Sequence, residues 1–238
     1  MSMNTSHQRW CAWAIVPFVV IYLIGFIGIA GFVPPHAPTM TPMELVAFYH
    51  HNRLGIRAGQ LIGLVSSCLL LFWAGAVSAQ MARIERGPLP MLSLIQYVAA
   101  AILVVFFMVC SLIWSVAAYR EDLSPETLRL LNDAGWLVFV MAFPEYVVQL
   151  VCIAAVGLID KRPQPFLPRW MCFFTLWVAL MGIGGGFSTF FKTGPFAWNG
   201  LLGFWVPVAF FLIWLGVTLR FLLAAIARQA AEEADASS

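Results

Sequence analysis

Hydrophobic and polar positions along this chain alternate on the scale of whole helices. Apolar runs at residues 10–33, 54–80, 90–119, 134–159, 170–191 and 201–226 each exceed twenty residues, with short polar connections between them. About 20 apolar residues rising 1.5 Å each cross a hydrocarbon core about 30 Å thick. The pattern therefore predicts an all-α integral membrane protein with six transmembrane helices. The first run follows a short polar head. It is longer than the apolar part of a signal peptide, and Trp10 and Trp13 stand where interfacial anchors belong, so it reads as an uncleaved span. Pro17 is expected to bend it, as Pro207 is the sixth.

Two connections carry helix-start signals. Thr41, Pro42 and Glu44 supply an N-cap, a first-turn proline and a capping-box acid for a short helix over 42–52. Ser124 and Pro125 do the same for a second short helix, which runs toward or into the fourth span. Both lie on the same side of the bundle, which predicts two short outer-face helices.

Composition excludes a separate soluble domain. The chain is 62% hydrophobic and 10% charged, whereas soluble domains are about 25% charged. Residues 1–228 are expected to form a single six-helix transmembrane domain, with 229–238 a disordered polar tail. A formal charge of +2 with scattered basic residues gives no footprint for nucleic acid. The expected partners are the lipid bilayer, a small apolar molecule and other membrane proteins. All five cysteines fall within apolar runs and form no CxxC pair, so they read as small buried hydrophobes.

Charge also sets orientation. One side holds Arg9, Arg83, Arg86, Lys161, Arg162, Arg169, Arg220 and Arg228, the other Arg53, Arg57, Arg120, Arg129 and Lys192. The positive-inside rule then places the N- and C-termini in the cytoplasm of a multi-pass protein of the cell's inner (plasma) membrane.

Against this background Glu145 is the anomaly. If the fourth span starts at Ala134, Glu145 lies roughly 17 Å into the core, where an ionisable group must face inward, find a partner or be neutral. Pro144 precedes it, frees the Val140 carbonyl and bends the helix. Gln149 stands one turn on, along the same face. On the second span Arg53, Arg57, Gln60 and Ser67 form a polar stripe, with snorkelling of the two arginines as the plainer account. On the third, Ser93, Gln96, Ser111 and Ser115 share a face that reads as structural. In the fifth, Gly182, Gly184, Gly185 and Gly186 remove bulk over a full turn, for close packing first and a cavity second.

Together these residues suggest an outward-facing pocket: Glu145 and Gln149 as floor, Gln60, Ser67 and the glycines as wall, and Arg57, His50, Asp133, Lys192 and Asn199 around the mouth. A neutral Glu145 bonded to Gln60, Ser67 or a freed carbonyl is the most economical arrangement; interhelical glue is its structural counterpart. The ligand-binding candidates are thus Glu145, Gln149, Gln60, Ser67, Arg57 and Asn199, and Glu145 is the one candidate for catalysis. No metal and no cofactor is expected. None of His7, His36, His50 or His51 lies within a span to hold haem, and adjacent His50 and His51 diverge on a helix. Ser188 and Thr189 have no intramembrane histidine to activate them, and Lys192 sits at a span boundary. No GxSxG, HExxH or Walker loop is present.

The function that follows is binding, sensing or moving a small, largely apolar molecule around Glu145. One alternative is a membrane-embedded enzyme acting on a terpenoid, steroid or quinone-like substrate, with Glu145 as general acid. The other is an accessory subunit of a larger membrane complex.

Overall fold

The computed structural model describes residues 3–85 and 88–236. Six of its helices are long and apolar enough to cross a membrane: α1 (Asn4–Ile29), α2 (Pro42–Glu85), α3 (Met91–Tyr119), α4 (Pro125–Ile159), α5 (Arg169–Thr189) and α6 (Leu201–Asp235). The described residues contain no strand. The chain is a multi-pass membrane protein, and its even number of spans puts both ends of the described chain at one end of the bundle, called here the near end. Each helix packs on its neighbours in chain order, and α6 closes back on α1 and on the near half of α2.

The capping signals act where expected, and the helix that Thr41 starts meets the second span at a kink. The Thr41 hydroxyl accepts from the Glu44 backbone N–H while the Glu44 carboxylate accepts from the Thr41 N–H. The helix then continues through a kink at Asn52, with φ −123° and ψ 29°, into the second span. The kink persists because the Asn52 side chain has a different partner. Its amide donates to the Ile29 and Ala30 carbonyls at 3.0 and 3.1 Å, satisfying groups left free at the end of α1. Ser124 likewise caps a helix that runs unbroken to Met141. The first short helix thus ends at the Asn52 kink, where it joins its span, and the second runs into the fourth span.

Most other irregularities sit beside proline, serine or glycine. α1 is interrupted at Ala14, within the turn preceding Pro17, which has no N–H to give back. α2 is interrupted at Cys68, where the Ser66 and Ser67 hydroxyls donate to the Gly63 and Leu64 carbonyls. α4 breaks at Ala142, two residues before Pro144. α6 begins as a π turn, Leu201–Trp205, just ahead of Pro207.

Hydrophobicity does not drive helices together inside lipid, so close approach and hydrogen bonds must do so. α1 crosses α2 at glycines: a methyl group on Gly59 would stand 2.4 Å from the Gly25 carbonyl, and one on Gly25 would stand 2.8 Å from that of Gly59. At the near end, the Gln80 amide donates to Gln8 and Gln229, at 2.7 Å each, joining α1, α2 and α6. The Glu85 carboxylate accepts from the Leu92 and Ser93 backbone N–H groups and from the Ser93 hydroxyl, capping α3 from the end of α2. Nor does α6 end at Arg228. Gln229 belongs to the glutamine cluster and Glu232 pairs with Arg83 at 2.6 Å, so the expected disordered tail is helical as far as Asp235. Ser237, Ser238 and the Arg86 counted for orientation lie outside the described residues.

A crevice between the first and last helices

In the half of the bundle away from the termini, four helices depart from α geometry near one another. α1 ends in a π turn, Ile24–Ile29; α4 breaks at Ala142; α5 tightens to a 3-10 helix, Ile183–Thr189; and α6 starts in its π turn. α1 and α6 pack together mainly through Met3–Trp13 and separate beyond it. The space this leaves is lined by aromatic rings.

Two cavities occupy it. The larger, about 310 Å³, lies between α1 and α6 and is walled by Phe18, Tyr22, Phe26, Trp205 and Leu212 among others, with no polar atom exposed on its surface. The smaller, about 110 Å³, lies against the glycine-rich half of α5 and is lined by Val140, Tyr146, Gly182, Gly185 and Gly203 among others. Phe107, Phe139, Phe204, Val208 and Phe211 line both, so the two are compartments of one crevice. Its back wall continues into a packed aromatic cluster: Phe26 stacks on Phe139 at 5.5 Å, and Trp114 meets Phe32 at 4.9 Å and Trp136 at 5.2 Å.

The glycines of α5 do both things their pattern suggested. A methyl group on Gly184 would stand 2.3 Å from the Leu202 carbonyl, and one on Gly185 would stand 2.2 Å from the Val140 carbonyl. Gly182 receives the Tyr146 ring and Gly186 the Phe143 ring. This close packing fixes α4, α5 and the start of α6 around the smaller cavity.

None of the six ligand-binding candidates named from sequence is among the residues lining this crevice. Glu145 is half-buried at the third position of the helix after the Ala142 break, about 21 Å from the Ile159 end of α4 by helical rise. Its Oε2 is buried without a partner, and so is the Nε2 of fully buried Gln149 one turn on. It is Tyr146, the next residue, that faces the smaller cavity. The segment carrying Gln60 and Ser67 packs on α1, α3 and the first part of α4, whereas the one carrying Glu145 and Gln149 packs on α3, α5 and the near half of α2. The two pairs are therefore not brought face to face. Ser67 donates to its own helix, and Gln60 is buried with its Nε2 unpartnered. Arg57 is exposed and lies over the Tyr119 ring at 5.5 Å, Arg53 pairs with Glu121 at 2.8 Å, and Asn199 is half-buried in the α5–α6 turn.

The mouth residues separate as well. His50 and Lys192 are exposed and Asp133 is half-buried. His36 instead comes inside, 4.0 Å from the Phe48 ring and beside Phe32 and Trp136. Burial pushes its imidazole down to about 4, so at neutral pH it is uncharged among aromatic neighbours. At the near end, burial alone would raise the Asp160 carboxyl. Hydrogen bonds from the Arg162 guanidinium and from the Phe166 and Arg162 backbone amides hold it below the usual carboxylate range. Among the described residues, no three His, Cys, Asp or Glu side chains gather as a metal-ligand set.

Two signals for the crevice are present in the sequence and were missed by following polar residues. Phe18, Tyr22 and Phe26 recur at i, i+4, i+8, an aromatic stripe on one helical face, and Phe204, Val208 and Phe211 recur at i, i+4, i+7, an apolar one. Gly55, Gly59 and Gly63 form a run of small residues at four-residue spacing, the mark of a close helix crossing. No protein-family model matches the chain, and comparison with characterised proteins and with solved structures finds no match either.

Proposed function

We propose that this protein binds a small, largely apolar molecule within the membrane, in the crevice between α1 and α6. The observation that supports it best is the pair of adjoining cavities that share five lining residues and have apolar walls. Rings fixed by stacking present a preformed wall, which reduces the ordering that a ligand must impose. The orientation inferred from basic residues puts both termini in the cytoplasm and the crevice in the outer half of the inner membrane. Separation of α1 from α6 gives a side opening through which a bilayer-dissolved molecule reaches the crevice without crossing water. In this proposal Glu145 stands next to the crevice and outside its wall.

The test is saturable binding of tritiated pentadecane to the full chain in nanodiscs, with empty nanodiscs subtracted. Wild-type protein should show a saturable site, and Val208→Trp, which fills space common to both cavities, should lose it while eluting as a folded monodisperse protein. Binding that does not saturate, as for an acyl chain of the bilayer exchanging freely, would remove the proposal.

A further inference from the structure

The smaller cavity differs from the larger in having polar atoms exposed on its surface. Tyr146 is the one lining residue with a polar side-chain atom, and its hydroxyl donates to the Val178 carbonyl at 3.4 Å. The remaining polar surface is backbone. Two prolines open carbonyls there. Pro144 has no N–H to return to the Val140 carbonyl, and Pro207 has none for the Gly203 carbonyl, each four residues earlier in its helix. Val140, Gly185 and Gly203 all line this cavity, and the two oxygens meet at Gly185: they stand 2.2 and 3.7 Å from the position a methyl group on that glycine would take.

Among the described residues, no N–H of another element donates to either oxygen. Backbone buried at membrane depth has no bulk water to turn to, and few buried acceptors go unmatched in a folded protein. A carbonyl accepts and cannot donate, so whatever completes these two must bring a donor. A plain hydrocarbon, a ketone or an aldehyde brings none. The larger cavity, which shares five lining residues with the smaller and exposes no polar atom, suits hydrocarbon.

We infer that the Val140 and Gly203 carbonyls, brought together at Gly185, form an accepting subsite in the smaller compartment of the crevice, which takes the hydroxyl of an otherwise apolar alcohol. The inference rests on the crevice being a binding site and names the class of its ligand: a long-chain or terpenoid alcohol in preference to the corresponding hydrocarbon or ketone. The hydrocarbon part occupies the larger compartment, and the hydroxyl donates to one of the two oxygens. Pro144 is exposed and outside the lining set, so it acts on the subsite only by withholding an N–H from Val140.

The probes are tritiated 1-pentadecanol, 2-pentadecanone and pentadecane, measured separately on the full chain in nanodiscs, with affinities referred to the probe dissolved in the bilayer. Wild-type protein should bind the alcohol about tenfold more tightly than either of the others, the factor expected from one well-made hydrogen bond. Pro144→Ala supplies the N–H that lets the helix close on the Val140 carbonyl, and Pro207→Ala does the same for Gly203. Each should lower the alcohol's advantage and the two together should abolish it, while Pro144→Ala leaves pentadecane binding unchanged. Equal affinity for alcohol and hydrocarbon in wild type, a ketone bound as tightly as the alcohol, or an advantage that survives the double substitution overturns the subsite and leaves the crevice standing. Saturable binding of none of the probes overturns the crevice and the subsite together.

Discussion

The indole N–H of Trp198 donates to the backbone carbonyl of His36 at 2.7 Å, across 162 residues of chain. This bond ties the α5–α6 turn to the α1–α2 connection at the end of the bundle where α1 and α6 have separated. Trp198→Phe keeps most of the ring and leaves the carbonyl unpaired, so it should lower stability by about 1–2 kcal/mol. Hydrogen exchange should speed up in the two connections and not at the near end. Uniform exchange change along the chain would mean the bond has no local role.

His36 gives the far end a pH dependence with a definite sign. Its folded value of about 4 lies below the ordinary 6.5, so the unfolded chain binds more protons between these two values. Stability is complete above about pH 6.5 and falls as pH drops toward 4, by on the order of 2 kcal/mol. Melting in detergent from pH 7.5 to 4.5 should show that decline, and His36→Gln should flatten it. Asp160 acts in a lower window. Its depressed carboxyl contributes above the ordinary value near 4 and is lost only as pH falls through the folded value, so it leaves the His36 window untouched.

Gln80 holds three helices together at the near end. Gln80→Leu removes both 2.7 Å bonds and strands the Gln8 and Gln229 oxygens. Intramembrane hydrogen bonds are worth about 0.6–2 kcal/mol each, so a loss of about 1–3 kcal/mol is expected by chemical or thermal unfolding. A change below experimental error would show that the residues re-pair.

The glycines of α5 separate into a sharp expectation and a control. Gly185→Ala places a methyl group 2.2 Å from the Val140 carbonyl, whereas Gly216, on α6, has nothing within 4 Å of a built Cβ. Gly185→Ala should cut the yield of folded protein severely and Gly216→Ala should not. Equal yields would mean that α4 and α5 do not approach this closely.

Orientation is checked with an impermeant thiol reagent on intact cells, in a cysteine-free background. Thr193→Cys, in the α5–α6 turn, should label from outside, and Gln164→Cys, in the α4–α5 connection, only after the cells are opened. The reverse pattern would put the crevice in the inner half of the membrane.

The spans, the Thr41 and Ser124 caps and the break ahead of Pro144 were legible because each is written in a few consecutive residues. What was not legible depends on which faces meet. Periodicity gathered Gln60, Ser67, Glu145 and Gln149 as inward-facing groups, yet their two segments pack on different neighbours. The first short helix keeps its kink at the join with its span because Asn52 bonds carbonyls of α1, a contact across more than twenty residues of sequence. The tail became helix because Arg83 and Gln80 reach it. The crevice arises from α1 and α6 separating, which no single segment encodes, although the aromatic stripes and the Gly55, Gly59, Gly63 spacing mark the faces involved.

Photolabelling decides most directly where a ligand sits. A pentadecane carrying a diazirine, bound to the full chain in nanodiscs and activated by light, should attach to 18–27 of α1 and 205–212 of α6. Excess unlabelled pentadecane should suppress that attachment, and Glu145→Gln should leave it within about twofold, or about 0.4 kcal/mol, since Glu145 is outside the wall. Labels scattered over lipid-facing residues without competition, or gathered around Glu145 and abolished by Glu145→Gln, would contradict a binding crevice between the first and last helices.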